Sequence, residues 1–315
     1  MNARQTITAL ACLAIASCLP NGSTTPDPFT PHDGVEGEGV LGEWVQSGLL
    51  KREYILGTPP DVQAGRTYPL LIVMHGAGSS AEGLRRWIDP DEATGAAGFI
   101  AAYPQGLAAS WNIGCGSCTP AGYEGVDDIR FIHNLIDHLA DELPVDTAQV
   151  FVAGQSLGAQ FAHYYACESD RPAAGIAAIS GLWLRRTGVA CNPARPLPVL
   201  MIHGDEDHIL PWEGPRDNIS AYSMPEALER WYELLECTFD PVVVEHPDLA
   251  GDGTSVQSTS VTGCVDGTSI ELHRIRGGGH GWPSPAVQHV PQLGPHSSNL
   301  DGLTEILRFF RPYAG

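Results

Sequence analysis

Residues 149–158 contain a serine whose neighbours suit it to act as a nucleophile. An apolar run at 150–153 precedes the pattern G-x-S-x-G, with Ser156 at its centre, and 159–165 have the composition of a helix. Such a run is typical of a strand buried on both faces. Glycines two residues before and after the serine allow a tight turn, because side chains there would collide with the neighbouring strand and helix. We predict a strand–turn–helix unit that exposes the Ser156 hydroxyl; the alternative is a loop without chemistry.

A serine nucleophile needs a base to remove its proton and a carboxylate to orient that base. Acidic residues at 205–207 follow an apolar run at 199–202, which predicts a loop at the carboxyl end of a buried strand. Asp207 is the predicted acid, because it precedes a turn that returns apolar residues to the core. Asp205 is the alternative acid, and capping a turn would be its structural role.

The predicted base is His280, which lies in a glycine-rich segment directly after the last predicted strand. Glycines there would let the loop reach over Ser156. His203 and His75 end apolar runs, where hydrogen-bonded packing is the more ordinary role. The order serine, acid, histidine along the chain suits nucleophilic acyl transfer.

The elements that must position these residues can be predicted from the apolar patterns. Strands are predicted at 49–56, 68–74, 99–103, 150–153, 174–180, 199–203 and 269–275, and helices at 127–143, 159–165, 225–237 and 300–310. This alternation predicts an α/β fold with a mostly parallel, doubly wound sheet and helices on both faces. Glycine-rich residues 76–78 would leave backbone N–H groups free to bind an oxyanion. Asp127 and Asp128 are predicted to cap a helix and to pack.

Composition limits the classes of partner. The chain has 315 residues and a formal net charge of −20. A surface of this charge repels nucleic acid and anionic lipid headgroups, so we expect no nucleic-acid partner. Its ordinary role is solubility. We expect one catalytic domain over 46–315 and a monomer.

The first residues have the features of an export signal. An apolar stretch at 7–16 is too short to span a bilayer, so 1–17 are predicted to be a signal peptide. Cys18 follows a pair of small residues, as in bacterial lipoproteins, and is the predicted lipidation site; an ordinary signal peptide is the alternative. Residues 18–45 are predicted to be a flexible linker. We expect the protein outside the cell or in the cell envelope, with membrane contact only through the lipid.

The cysteines favour disulfides. The chain has 8 cysteines, and Cys12 and Cys18 fall in the N-terminal segment, which leaves 8 − 2 = 6. An even number is typical of disulfides in an exported chain, but six cysteines allow about fifteen pairings. We predict that nearest neighbours pair: Cys115 with Cys118, Cys167 with Cys191, and Cys237 with Cys264. The C-x-x-C segment could instead be a redox pair or half of a zinc site, but no second pair of ligands lies nearby in the sequence.

Several short motifs resemble those of one enzyme family. They are His75-Gly76, Tyr103-Pro104-Gln105-Gly106, Ser110-Trp111-Asn112, Val126-Asp127-Asp128, Gly154-Gln155-Ser156-Leu157-Gly158, His203-Gly204 with Asp207, and Gly278-Gly279-His280-Gly281-Trp282-Pro283. From about residue 49 to the C-terminus, the chain resembles the polyhydroxybutyrate depolymerase and feruloyl esterase family of secreted α/β-hydrolases. It departs from that family at 114–118, where members often have adjacent cysteines.

The resemblance implies an α/β-hydrolase fold, no cofactor and no metal. It implies Ser156, Asp207 and His280 as the catalytic triad, with oxyanion-binding N–H groups on Leu157 and Ala77. The substrates of the family are hydroxyalkanoate oligomers, feruloyl esters and acetylated xylan, so an ester is the expected partner.

Three further residues are candidate substrate contacts: Gln155, Trp111 and Trp282. The two tryptophans could line a site for a phenolic group or a sugar, and packing is the alternative for both. The predicted function is a secreted serine carboxylic-ester hydrolase that forms an acyl-enzyme. One alternative is a serine peptidase of the same fold, which would need a further domain to select peptides. The other is a non-catalytic surface lipoprotein that binds a polymer or polysaccharide.

Overall fold

The computed structural model describes residues 43–315 except 60, 61, 64, 89, 90 and 216–219. The predicted signal peptide, Cys18 and most of the predicted linker lie outside these residues. The first strand, Glu43–Ser47, begins within the segment predicted to be a linker, because Val45 packs into the core and the strand pairs with the next one. Within the described part of the chain, no helix is both long and apolar enough to cross a membrane.

The described strands form one mixed sheet. They are β1 (Glu43–Ser47), β2 (Leu50–Gly57), β3 (Tyr68–Met74), β4 (Ile100–Pro104), β5 (Val145–Gln155), β6 (Gly175–Ile179), β7 (Val199–Gly204), β8 (Val242–His246), β9 (Ser255–Val261) and β10 (Ile270–Arg276). The sheet has 10 strands in the order β1-β2-β4-β3-β5-β6-β7-β10-β9-β8. The six central strands, β4, β3, β5, β6, β7 and β10, run parallel to one another. Antiparallel strands, β1 and β2 on one side and β9 and β8 on the other, complete the two edges. The predicted mostly parallel sheet is confirmed.

Helices cover both faces of the sheet. They are α1 (Ala81–Ile88), α2 (Asp91–Ala97), α3 (Pro120–Tyr123), α4 (Asp128–Glu142), α5 (Leu157–Glu168), α6 (Arg185–Val189), α7 (Met224–Leu234) and α8 (Gly302–Phe310), with short 3₁₀ turns at Leu107–Ala109, Val265–Gly267, Pro291–Leu293 and Arg311–Tyr313. Leu70 and Ile72 of β3 pack with α4, α5 and α7, whereas Leu71 and Val73 pack with α1 and α8. Successive strand residues point to opposite faces, so a continuous apolar run supplies both cores.

Seven strands and helices were not predicted from the sequence: α1, α2, α3, α6, β1, β8 and β9. Every residue of β8 is exposed, and β9 is mainly polar. Neither strand therefore shows the buried pattern from which strands are predicted. Helices α1 and α2 are short and each contains a glycine, which weakens a helical pattern.

Three disulfides join the six cysteines of the described residues as nearest neighbours: Cys115–Cys118, Cys167–Cys191 and Cys237–Cys264. The second bridge links the end of α5 to the segment after α6. The third links the segment after α7 to the segment after β9. The two thiols of the C-x-x-C segment are joined to each other and are not available as metal ligands.

A buried ion pair links β2 to α4. Arg52 lies 2.7 Å from Asp128, and the two side chains are 2% and 0% exposed. Burial raises the pKa of Asp128, and the charge of Arg52 opposes this shift. Asp128 also accepts a hydrogen bond from the Asn112 N–H (2.7 Å), and Arg52 donates to the Gln105 carbonyl (3.2 Å). The pair therefore holds the segment that follows β4.

We expect Arg52→Met to lower the free energy of unfolding by about 3–5 kcal/mol, because it leaves Asp128 buried without its partner. Urea denaturation measures the change. Arg130→Met is the matched control: Arg130 pairs with Asp127, the helix cap, and these side chains are 67% and 61% exposed. The control should cost less than about 1 kcal/mol. Equal costs for the two substitutions would contradict the argument.

Candidate active site

Ser156 lies at the turn between β5 and α5 in a left-handed conformation. Its φ and ψ angles are 56° and −118°, which are uncommon for a residue with a side chain. The Ser156 N–H donates to the carbonyl of Ile179, the last residue of β6, at 2.9 Å. The neighbouring strand therefore helps to hold the turn, and the serine side chain stays partly exposed.

The two glycines of the motif are required by close backbone contacts. A Cβ on Gly154 would overlap the backbone of Gly158, and a Cβ on Gly158 would overlap the carbonyl of Met74. Strand β3 and helix α5 can approach the turn this closely only without those side chains. The sequence pattern predicted this requirement for the same reason, because side chains at the two positions would collide with the neighbouring strand and helix.

The structure brings together the three predicted triad side chains. The Ser156 hydroxyl lies 2.9 Å from His280 Nε2 and can donate its proton to that nitrogen. The His280 Nδ1–H donates to Asp207 Oδ2 at 2.7 Å. The imidazole therefore connects the hydroxyl to the carboxylate through both of its nitrogens.

Asp207 is a buried carboxylate with several donors. It is 3% exposed, and its Oδ1 accepts the N–H groups of Ile209 (2.9 Å) and Leu210 (2.8 Å). Burial raises the pKa of this carboxyl, but hydrogen bonds from His203 and His280 outweigh burial, and the pKa is well below its usual range. Asp207 therefore stays ionised at neutral pH. His203, predicted only as a packing residue, lies 3.3 Å from Asp207 Oδ2.

Asp205, the alternative acid, has a different set of contacts. It accepts hydrogen bonds from the Gly277 N–H (2.7 Å) and from Arg274 Nε (2.8 Å). These contacts fasten the start of the loop that carries His280. Farther along, the His280 N–H donates to the Leu293 carbonyl at 2.6 Å. Asp205 thus acts on the loop and not on the imidazole.

The predicted oxyanion-binding groups lie beside the serine. A Cβ on Gly76 would lie 3.2 Å from the Ser156 Cβ, so the turn that follows β3 touches the turn that carries the serine. Among the described residues, the N–H groups of Leu157 and Ala77 donate no hydrogen bond within the protein. The first N–H groups of a helix have no partner inside the helix, so that of Leu157 is available to an anion.

His75 orients the peptide that carries the Ala77 N–H. Its Nε2 accepts the Gly106 N–H at 3.0 Å, so Nδ1 carries the proton and donates to the Gly76 carbonyl at 2.8 Å. Burial lowers the pKa of His75 to about 4, which keeps the ring neutral. The hydrogen bond that was predicted for His75 therefore also holds the peptide that carries the Ala77 N–H.

The structure corrects the prediction that Trp111, Trp282 and Gln155 contact the substrate. Trp111 and Trp282 are 0% and 1% exposed, so neither ring presents a surface to a substrate, and the packing alternative describes both. Trp111 donates to the His75 carbonyl at 2.9 Å. Gln155 is also buried, and its amide donates to the His280 carbonyl at 3.2 Å. It holds the base loop against the end of β5.

Comparison with known proteins agrees with this geometry. Residues 124–240 match the family model described as phospholipase/carboxylesterase. NocK of Nocardia uniformis, which is named as an esterase, is 30% identical over 275 residues, covering 80% of this chain and 76% of NocK. The chain belongs to the same family of esterases as NocK. The predicted membership of an α/β-hydrolase esterase family is confirmed, and the protein is an esterase-type hydrolase.

One further relative and one solved structure are also similar to this esterase. Feruloyl esterase B of Piromyces equi is 28% identical over 247 residues, which cover 73% of this chain but only 42% of that protein. The solved structure of esterase 2 of Thermogutta terrifontis superposes with a TM-score of 0.57, at 15% identity, over 89% of this chain and 94% of that one. At this low identity, the similarity to the Thermogutta terrifontis structure shows only that the fold is shared.

The contacts of the two acids predict a difference between their amide variants. Asp207→Asn should lower kcat by about 10³–10⁴-fold, because an amide stabilises the wrong tautomer of His280. Asp205→Asn should be far milder, since it weakens only the fastening of the loop. Steady-state kinetics on a p-nitrophenyl ester measure both, with circular dichroism to verify folding. The reverse ranking would transfer the role of acid to Asp205.

Proposed function

We propose that the chain is a serine carboxylic-ester hydrolase that works through an acyl-enzyme. One observation carries the proposal: Ser156, His280 and Asp207 form a continuous chain of hydrogen bonds, with contacts of 2.9 and 2.7 Å. A non-catalytic binding protein would have no use for this arrangement. The esterase relatives support the same reaction class.

Each group has a role in the proposed reaction. Ionised Asp207 holds the Nδ1–H of His280, so the Nε2 lone pair faces Ser156 and removes its proton as the hydroxyl oxygen attacks the ester carbonyl. The N–H groups of Leu157 and Ala77 stabilise the tetrahedral oxyanion. When the intermediate collapses, His280 gives its proton to the departing alkoxide. Water, activated by the same imidazole, then releases the acid from Ser156.

We propose esters of feruloyl-type acids as the substrate class. The support is the 28% identity to a protein named feruloyl esterase B. Oligomers of 3-hydroxybutyrate are the rival substrate, from the resemblance of the sequence motifs. Comparing kcat/KM for methyl ferulate, a 3-hydroxybutyrate trimer and p-nitrophenyl acetate tests the choice; a higher value for the trimer would reject feruloyl esters.

Ser156→Ala should lower kcat by roughly three or more orders of magnitude on every ester hydrolysed, because the covalent nucleophile is lost. Ser180→Ala is a matched control. Ser180 directly follows the neighbouring strand β6, also has a positive φ of 50°, and donates to the Gly281 carbonyl at 3.2 Å. Loss of the Ser180 hydroxyl should reduce kcat far less than loss of the Ser156 hydroxyl. Unchanged turnover in Ser156→Ala would reject the serine mechanism.

We propose that the protein is exported and attached to a membrane through lipid on Cys18. The three disulfides support export, because such bridges persist in oxidising compartments. A single acyl chain anchors only marginally, so stable attachment requires the several chains of a bacterial lipoprotein.

Mass spectrometry of the mature protein should show residues 1–17 removed and acyl groups on Cys18. Cys18→Ala should release active enzyme with unchanged kcat and KM, because the catalytic residues lie in the folded domain. A soluble wild-type protein whose N-terminus lies beyond Cys18 and carries no acyl mass would reject lipid attachment.

A further inference from the structure

Three metal-ligating side chains meet where α8 packs against β10. Glu271 and His273 are two residues apart on β10, so their side chains share one face of the sheet. Glu305 comes from α8. The ligand atoms of the three residues all lie within 4.8 Å of one another, and the residues line a surface groove of about 430 Å³. None of these residues takes part in the proposed ester hydrolysis.

The buried nitrogen of His273 faces both carboxylates. His273 is 4% exposed. Its Nε2 lies 3.4 Å from Glu271 Oε2 and 3.7 Å from Glu305 Oε2. Within the described residues, this nitrogen forms no hydrogen bond. It therefore points between two anionic groups, within ion-pair distance of both but without a hydrogen bond to either.

The other nitrogen of the ring contacts Ser258. His273 Nδ1 lies 2.8 Å from Ser258 Oγ, and Ser258 Oγ lies 3.0 Å from His246 Nε2. In the tautomer that a metal ion requires, Nδ1–H donates to the serine oxygen and the serine hydroxyl donates to His246. The lone pair of His273 Nε2 then faces the two carboxylates, and a cation between these three groups would bind to all of them.

The distances from His273 Nε2 to the two carboxylates suit a small metal ion. Bonds of about 2.0–2.2 Å to nitrogen and oxygen place tetrahedral ligands roughly 3.3–3.6 Å apart. The two distances from His273 Nε2, 3.4 and 3.7 Å, are close to this spacing. One imidazole and two carboxylates are ligands that Zn²⁺ accepts. We propose that Glu271, His273 and Glu305 bind a divalent transition-metal ion, with Zn²⁺ as the best match.

Arg308 competes with the ion for the same oxygens. Its guanidinium contacts Glu271 Oε2, and its Nε lies 2.7 Å from Glu305 Oε2. The Arg308 side chain is 49% exposed, so it can turn into solvent when an ion enters. Arginine neutralises the two carboxylates in the metal-free protein, and the ion replaces it.

The bound ion would join helix α8 to strand β10. A ligand that binds only the folded state raises its stability in proportion to the logarithm of the ligand concentration above Kd. The Ser258 hydroxyl on β9 would orient His273, as groups hydrogen-bonded to metal-bound histidines commonly do. The site is therefore structural and independent of the reaction at Ser156.

Isothermal titration of EDTA-treated, dialysed protein with ZnCl₂ tests the proposal. Wild-type protein should bind one Zn²⁺ per chain at this site, with a higher Tm when zinc is present. His273→Gln and Glu305→Gln should each weaken binding at least ten-fold and abolish the increase in Tm, since each removes a ligand. Arg308→Gln should strengthen binding, because it removes the competing cation.

Controls separate this site from zinc bound at other histidines. His138→Gln is the matched control, since His138 lies 3.7 Å from Glu142 in a histidine–glutamate pair that is more exposed than that of His273. It should bind zinc as wild type does. If His273→Gln fails to fold, the Glu305→Gln variant decides. No zinc binding by wild-type protein, or equal binding by wild type and Glu305→Gln, overturns the proposal. Unchanged ester hydrolysis in Glu305→Gln is expected and keeps this test separate from that of the serine mechanism.

Discussion

The active site depends on backbone packing around Ser156. Its left-handed conformation costs about 1–3 kcal/mol and persists only if the surroundings hold it. Here β3 and α5 approach the turn so closely that positions 154 and 158 have no room for a side chain. The same closeness gives the serine a fixed position, toward which the other two triad residues must be brought. A binding surface would not need this strain, whereas the nucleophile that we propose must meet its base within hydrogen-bonding distance and does need it.

Asp207 and His280, the proposed acid and base, reach that position through strand pairing. Strands β7 and β10 are far apart in the sequence but are parallel neighbours in the sheet, with Gly204 beside Ile275. Asp207 and His280 each follow one of these strands by only a few residues. The Asp205 contacts to Arg274 and Gly277 then tie the two loops together. Rigid neighbouring strands thus set the short distances within the site.

Much of this site could be predicted from the sequence, because the chemistry restricts the residue types and their order. The glycines around Ser156 and the glycine-rich loop of His280 are local signals, and they identified the residues that the structure brings together. The burial of Trp111 and Trp282 could not be predicted, since exposure depends on what packs over a ring. The Arg52–Asp128 pair was also not predicted. The two residues are distant in the sequence, and the residues around each of them give no indication of its partner.

The disulfide Cys237–Cys264 has a consequence for proteolysis. It encloses β8, whose residues are all exposed, and Leu249 in the following loop is 86% exposed. Exposed loops of this kind are preferred sites of cleavage. A protease that cuts between the two cysteines separates Asp207 from His280 in the covalent sequence, yet the bridge keeps both fragments in one molecule. The enzyme would become two-chained without losing either half of its catalytic machinery.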